Sequence, residues 1–322
     1  MQIFPGLEMA PSPHSKRGKR APAAGEICSN DRGERHVLID PSDDGELQTV
    51  LSWFRNHPKL AELVGDAVED AIYYVLDGAR THRFDIRDER VDSDERRGIG
   101  TKLQYHVLEN FALPKLRHPD TEIADIGVEI KGTIADNWAI PKEGQCGVTL
   151  LIKLDLDGDR QTAWLMRTHR AWLRDGANND GKRGVLVNAL HSYAIELYPP
   201  EALRPNPLKM LSADEVADVF GSAGQEVRLS HLFVALPEVV IPRAVILTVC
   251  AGKLDPLRRV RAVRTRVRSL GLELLCGKWR GQRELGDVLG HDLTGAAWVA
   301  VPHHQIDGHG TLSEQVWNEM RG

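Results

Sequence analysis

The stretch ADIGVEIKGT, residues 124 to 133, constrains this chain more than any other. Ile126, Val128 and Ile130 alternate with the residues between them. Side chains along a strand point to opposite faces in turn, so these three line one face of a sheet. Asp125 or Gly127, then Glu129, then Lys131 fall on the other face. A strand that ought to be buried therefore carries a carboxylate and an ammonium side by side, and buried charges need partners.

The flanking residues suggest a task for them. In HPDTEIADIGVEIKGT, Asp120 precedes Glu129 by nine residues, and Pro119-Asp120 supplies a literal PD. Metal-dependent phosphodiester cleavage needs two carboxylates on one divalent ion, which polarises the phosphate and lowers the pKa of an attacking water. Hard oxygen ligands select Mg²⁺, with Mn²⁺ able to substitute. A lysine beside them stabilises developing negative charge and can orient the nucleophile. Asp120, Glu129 and Lys131 thus spell the PD-(D/E)xK nuclease pattern. The same letters also fit an edge-strand salt bridge beside an unrelated loop aspartate.

The rest of the chain sets the frame. At 322 residues, 42% hydrophobic and 27% charged, it is long enough for two domains and too polar for a membrane protein. No apolar run approaches the roughly 20 residues that span a bilayer. The N-terminus, MQIFPGLEMAPSPHSKRGKRAPAAGE, lacks the apolar core of a secretory signal and reads as a disordered arm over residues 1–40. Cys28, Cys146, Cys250 and Cys276 are scattered with no CxxC pair, so the spacing suggests neither a disulfide framework nor a structural zinc. A reducing cytoplasm fits.

Residues 46 to 79 read as helical, with Gly78 as a stop, and GTKLQYHVLENFAL as a second helix. VTLLIKL (148 to 154) and TAWLMR (162 to 167) follow as strands, giving an α/β sheet with a helix against one face. This first domain spans 41–198. YPPEALRPNP, with four prolines, marks a linker over 199–211. The second domain, 212–322, opens with a capping box, Ser212 and Glu215. PRAVILTVCAG is helix or strand by periodicity alone.

Net charge is -5, which argues against a nucleic-acid partner until its distribution is considered. Between Lys253 and Arg283, ten basic residues stand against two acidic ones, a local net of +8. In DPLRRVRAVRTRVRSLG the residues Leu257, Val260, Val263, Val267 and Leu270 make an apolar stripe, and arginines fill the other faces. A helix, the turn GKLD, this basic helix and LELLCGKWRG as a β-wing read as a winged helix-turn-helix. Lys253, Arg258, Arg259, Arg261, Arg264, Arg268, Lys278 and Arg280 are its candidate DNA contacts. A solvated arginine-rich surface is the plainer reading. HHQIDGH (303 to 309) reads as an exposed tail rather than a metal site, and Trp138 and Trp279 as core or interface residues.

Several stretches in register carry a family resemblance: YVLDGARTHRF, GTKLQYHVLENF, DTEIADIGVEIK, NWAIP, DPLRRVR and GLELLCG. The chain resembles the NaeI-type type II restriction endonucleases from about residue 70 to about residue 300. The resemblance implies a PD-(D/E)xK endonuclease domain, a winged-helix DNA-binding domain, and a bacterial, cytoplasmic, Mg²⁺-dependent homodimer. It further implies that two copies of a double-stranded DNA site are engaged, one stimulating cleavage at the other, and that a methyltransferase acts on the same site. Carried over, the metal-binding carboxylates fall on Asp120 and Glu129, the catalytic lysine on Lys131, and the helix glutamate that completes the site on Gln104. That last residue departs from the pattern: a neutral amide can hold a metal-bound water but adds no charge. A DNA-binding protein with a decayed site, or a repair endonuclease acting on mismatched or nicked DNA, are the alternatives.

Overall fold

The computed structural model describes residues 20–221 and 224–321. They form two compact units, one of residues 20–67 with 103–202, the other of residues 68–102 with 203–321. After a short hairpin come four helices: α1 (Gly45–Arg55), α2 (Leu60–Leu76), the single turn α3 (Gly78–Thr81) and α4 (Ser93–Asn110). The sequence reads residues 46 to 79 as one helical stretch, but Pro58 lacks the N–H that would continue it, and the chain breaks between α1 and α2. Gly78 is not the helix stop expected of it. The left-handed residue is Asp77 (φ 46°), whereas a Cβ on Gly78 would lie 2.2 Å from the Thr248 hydroxyl. Close approach, not backbone freedom, requires glycine there.

In the first unit, β1 (Ile27–Ser29) and β2 (Arg35–Val37) make a small hairpin. The disordered arm expected over 1–40 is therefore not found over residues 20–40, and its residues 1–19 lie outside the described residues. The composition misled because few apolar groups hold this segment: Ala21, Cys28 and Leu38 are buried, and the Pro22 carbonyl accepts from Trp172 and Tyr193.

The main sheet comprises β3 (Thr121–Ile123), β4 (Ile126–Thr133), β6 (Val148–Asp155), β7 (Arg160–Arg167) and β10 (Ile195–Glu196), and β5 (Ala139–Ile140) belongs to a smaller one. Its order is β10-β7-β6-β4-β3, with β11 (Glu201–Ala202) also on β7. Only β4 and β6 pair in parallel; β3–β4 and β6–β7 are antiparallel. The smaller sheet joins β5, β9 (Arg183–Val185) and β8 (Leu173–Ala177), and is followed by α5 (Val187–Tyr193). Because β11 extends the sheet, the Pro-rich stretch is not wholly a linker. β6 is buried on both faces, as a central strand beside a parallel neighbour should be. The register Glu129↔Thr149 and Lys131↔Leu151 puts both charged residues on the sheet face of Thr149 and Leu151, opposite Val128 and Ile130.

The second unit contains α6 (Ala213–Gly221), α7 (Gln225–Ala235), α8 (Arg243–Val249), α9 (Pro256–Arg268), β12 (Leu272–Cys276), α10 (Arg280–Val288), β13 (Trp298–Pro302) and α11 (Thr311–Arg321). The capping box forms: the Ser212 N–H donates to Glu215, and the Glu215 N–H donates to the Ser212 hydroxyl. PRAVILTVCAG is helical as α8. Alternation along β12 and β13 divides the core, with Leu274, Trp298 and Ala300 packed among α7, α8 and α9, and Leu275, Val299 and Val301 packed with Leu285 and Val316. LELLCGKWRG is not a hairpin wing. Its first half is β12, which pairs with the distant β13, and its end starts α10. Leu270 also leaves the apolar stripe: α9 stops at Arg268, and Leu270 is 58% exposed.

One buried ion pair ties α1 to β7. Asp44 caps α1 by accepting from the Leu47 N–H at 3.0 Å, and its two oxygens receive Arg167, Nη2 at 2.8 Å and Nε closer still. Burial pushes the Asp44 carboxyl up, but Arg167 and the Leu47 N–H outweigh it, and the net shift is downward. Asp44→Ala should cost about 3 kcal/mol in urea denaturation, since it removes the α1 cap and leaves the Arg167 guanidinium only the exposed Glu46 and the Cys146 carbonyl. Because the folded value lies below the unfolded one, this contribution is complete above about pH 4 and is lost as pH falls through the folded value. The stability gap between wild type and Asp44→Asn should accordingly narrow in acid.

Candidate active site

The β3–β4 hairpin builds the site from one short stretch. Ala124 and Asp125 are not strand but a tight left-handed turn (φ 51° and 62°), which folds Thr121 opposite Val128. Asp120, just before β3, thereby arrives beside the middle of β4. Its Oδ2 accepts from the Ile130 N–H at 2.8 Å and from Lys131 Nζ at 2.9 Å. Lys131 Nζ also donates to Glu129 Oε2 at 2.7 Å. The sequence-predicted Asp120, Glu129 and Lys131 are thus brought together, with one ammonium bridging two carboxylates. Below them Gly127 permits close packing, since a Cβ there would lie 2.6 Å from the Pro119 ring.

Burial governs the electrostatics. Asp120 and Glu129 are buried and Lys131 nearly so. Desolvation, helped by the neighbouring Asp120 charge, pushes the Glu129 carboxyl above the usual range despite the pull of Lys131. For Lys131, burial lowers the pKa, but Glu129 and Asp120 outweigh it and hold the ammonium charged. The donor set suits a hard divalent cation: Asp120 Oδ1 and Glu129 Oε1 carry no hydrogen bond among the described residues, and two carboxylates against one lysine leave a net negative charge.

A cleft of about 310 Å³ opens beside Glu129, walled by Pro119, Gly127, Arg32 and the loop 143–147. Spacing gave no sign of this wall. Arg32 lies in the β1–β2 hairpin, far away in sequence, and its guanidinium donates to the carbonyls of Lys142, Glu143 and Gln145. Gly144 packs on Glu129, and a Cβ there would stand 3.3 Å from Glu129 Cγ.

Gln104 is not drawn into this cluster. It is half-buried on α4, beside the buried Leu103, Val107 and Leu108, and no hydrogen bond joins it to Asp120, Glu129 or Lys131 among the described residues.

The candidate DNA contacts divide into three groups. Arg264 is half-buried, donates to Gln282 at 2.9 Å and lies over the Trp298 ring, and burial lowers its pKa. Arg268 forks onto the fully buried Glu273. Arg259 and Arg280 form exposed pairs with Glu226 and Glu284. Lys253, Arg258, Arg261 and Lys278 are exposed, with no ion pair among the described residues. Among the other aromatic and histidine candidates, Trp138 is core, its Nε1 bonded to the Ile152 carbonyl, and Trp279 is partly buried against the α9 core. His303 and His304 are exposed, but the stretch is not a tail: Ile306 is buried in the core, His309 is half-buried, and α11 follows.

A comparison with curated proteins found no match. The family model described as restriction endonuclease NaeI matches residues 49–299. That span covers most of the chain, including the β3–β4 hairpin and the basic helix. Restriction endonucleases generally use divalent metal ions and bind double-stranded DNA, and no helix among the described residues is long and apolar enough to cross a membrane. The chain belongs to the NaeI restriction endonuclease family and is a type II site-specific deoxyribonuclease.

Proposed function

We propose that this endonuclease is Mg²⁺-dependent, that Asp120 and Glu129 hold the ion and that Lys131 is the catalytic lysine. The observation that carries this reading is the single ammonium shared by the two buried carboxylates at 2.9 and 2.7 Å. An ion bound there would polarise the scissile phosphate and acidify a water. The chain's own contribution is placement. The Ile130 N–H fixes Asp120, the hairpin register fixes Glu129, and Lys131 sets a positive charge where negative charge builds in the transition state. Gln104 supports the ion's water shell. Its neutral side chain makes ion binding weaker than a glutamate would, and it is the one feature that favours a decayed, binding-only protein.

Residues 212–322, within the second unit, are proposed as the winged-helix DNA-binding domain, with α9 as its recognition helix. Support comes from α9 itself: Val260, Val263 and Val267 are buried while Arg258 and Arg261 face solvent. The division into an endonuclease domain of 41–198 and a DNA-binding domain of 212–322, a homodimer and activation by a second DNA site complete the proposal, together with a methyltransferase that protects the site.

Lys131→Ala should cut Mg²⁺-dependent cleavage of long unmethylated duplex DNA by at least about 10²-fold, with band-shift affinity retained. Undiminished cleavage would remove Lys131 from the chemistry. Gln104→Glu should lower the half-saturating Mg²⁺ concentration by about tenfold, roughly 1.4 kcal/mol. An unchanged Mg²⁺ titration would place Gln104 outside the site.

The α9 residues separate binding from stability. Arg258→Ala with Arg261→Ala should weaken DNA binding and reduce its log–log salt slope by about one per lost phosphate contact, with Tm unchanged. Arg268→Ala should instead destabilise the fold by about 2 kcal/mol, because it leaves Glu273 buried with only His303 beside it.

A further inference from the structure

Four residues that the sequence leaves far apart converge in the first unit. Cys28 on β1, His36 on β2, Cys146 in the loop before β6 and His169 just after β7 each direct one potential ligand atom inward, all within 4.8 Å of one another. They form the one group of three or more His, Cys, Asp or Glu side chains close enough to share an ion among the described residues. We infer that these four side chains bind one zinc ion, which clamps the N-terminal hairpin to the wall of the nuclease cleft.

The geometry matches the ion. Two thiolates about 2.3 Å from a tetrahedral zinc stand about 3.8 Å apart, and Cys28 Sγ and Cys146 Sγ are 3.8 Å apart. The sulfurs are too distant for a disulfide, and both are free. His36 Nε2 and His169 Nδ1 are 2.9 Å apart, a few tenths of an ångström closer than two imidazoles on zinc at about 2.1 Å each. Two sulfurs and two imidazole nitrogens make a closed four-coordinate set, typical of structural zinc and wrong for Mg²⁺.

The local structure is built to hold such a set. Cys28 and His36 are direct cross-strand partners, so the pairing register alone puts them on one face of the hairpin. Cys146 sits in a left-handed turn (φ 67°) pinned by its N–H to the Thr168 carbonyl at 2.8 Å, one residue before His169. The Arg170 N–H reaches Cys146 Sγ at 3.5 Å, the outer-shell bond that a metal thiolate favours. Cys28 and His169 are buried, and the other two are partly so. Without an ion the four groups satisfy one another, Cys28 Sγ against Cys146 Sγ and His36 Nε2 against His169 Nδ1, and the same pairings hold four ligand atoms within reach of one ion. On binding, each cysteine gives up its thiol proton to solvent and each imidazole supplies a neutral lone pair.

The consequence reaches the cleft. Cys146 belongs to the loop 143–147 that walls Glu129, and the hairpin that supplies Cys28 and His36 also supplies Arg32 to the same wall. An ion here would fix that wall without touching the carboxylates. The inference does not depend on the roles proposed for Asp120 and Lys131.

The test uses the full chain, purified without chelator, and metal analysis by mass spectrometry. About one zinc per chain is expected, released by a mercurial thiol reagent and retained in Asp120→Asn/Glu129→Gln. Replacement by Co²⁺ should give the strong visible bands of a tetrahedral site and a thiolate charge-transfer band, which a carboxylate site cannot produce. Cys28→Ser/Cys146→Ser should lose the metal. Cys28→His, which keeps a four-ligand set, should retain it, so that loss of metal is not mistaken for loss of fold. Stripping the ion from the wild type should lower Tm by at least about 5 °C. Wild-type protein that holds no zinc even after incubation with Zn²⁺, a cobalt form without the thiolate band, or metal retained in the double serine variant would each overturn the inference.

Discussion

Two carboxylates can be buried on a strand only if something offsets their charge, and here Lys131 does so for both. Its position is not adjustable. Glu129 and Lys131 lie two residues apart on one strand, so they share a face by the geometry of the pleat. Asp120 reaches them because a two-residue turn reverses the chain without slack. A slip of one residue in the β3–β4 pairing would carry both charged side chains to the apolar face of Val128 and Ile130. The hydrophobic register that builds the sheet and the electrostatic balance of the cluster are therefore a single constraint. Parallel pairing with β6 enforces it from the other side, since Leu150 and Ile152 have no solvent-facing alternative.

The second unit obeys a different logic. The arginines of α9 look equivalent in sequence, but the fold assigns them different work. Arg264 and Arg268 face residues that are themselves buried, Gln282 and Glu273, and their donors are engaged internally. Arg258 and Arg261 lie outside the valine stripe and keep theirs. The local excess of positive charge thus overstates what is available to a polyanion, while the net charge of the whole chain understates it.

What the sequence made legible follows from the range of the forces involved. Alternation located β4 and a short apolar run located β6, because a strand's pattern is local, and the capping box of α6 was readable from two residues for the same reason. The cluster was legible because all three of its residues fall within twelve positions and one hairpin. Non-local pairing defeated the reading elsewhere. β12 pairs with β13 across the whole of α10, so LELLCGKWRG suggested a wing where a helix follows. In fact Gly277 is required by contact: a Cβ would lie 1.6 Å from the Leu293 carbonyl oxygen. Composition likewise predicted an arm where a few buried side chains anchor a hairpin. Gln104 remains the one carried-over residue that no hydrogen bond joins to the cluster among the described residues.

The cleft makes the cost of that non-locality plain. Its floor comes from one contiguous hairpin, but its wall needs the N-terminal segment, through Arg32, and the loop before β6, through Gly144 and Cys146. Beyond the packing of Gly144 on Glu129, Arg32 reaches the loop through backbone carbonyls, which fix a position only if the hairpin bearing Arg32 is itself fixed. The hairpin is short and has little apolar surface of its own. Its anchors are Asp31, paired with Arg170 and Arg183, and the cysteine–histidine cluster. Both anchors run into the wall itself, Asp31 through its bonds with Gln145 and the cluster through Cys146, so the shape of the cleft is set by contacts made outside the carboxylate–lysine cluster.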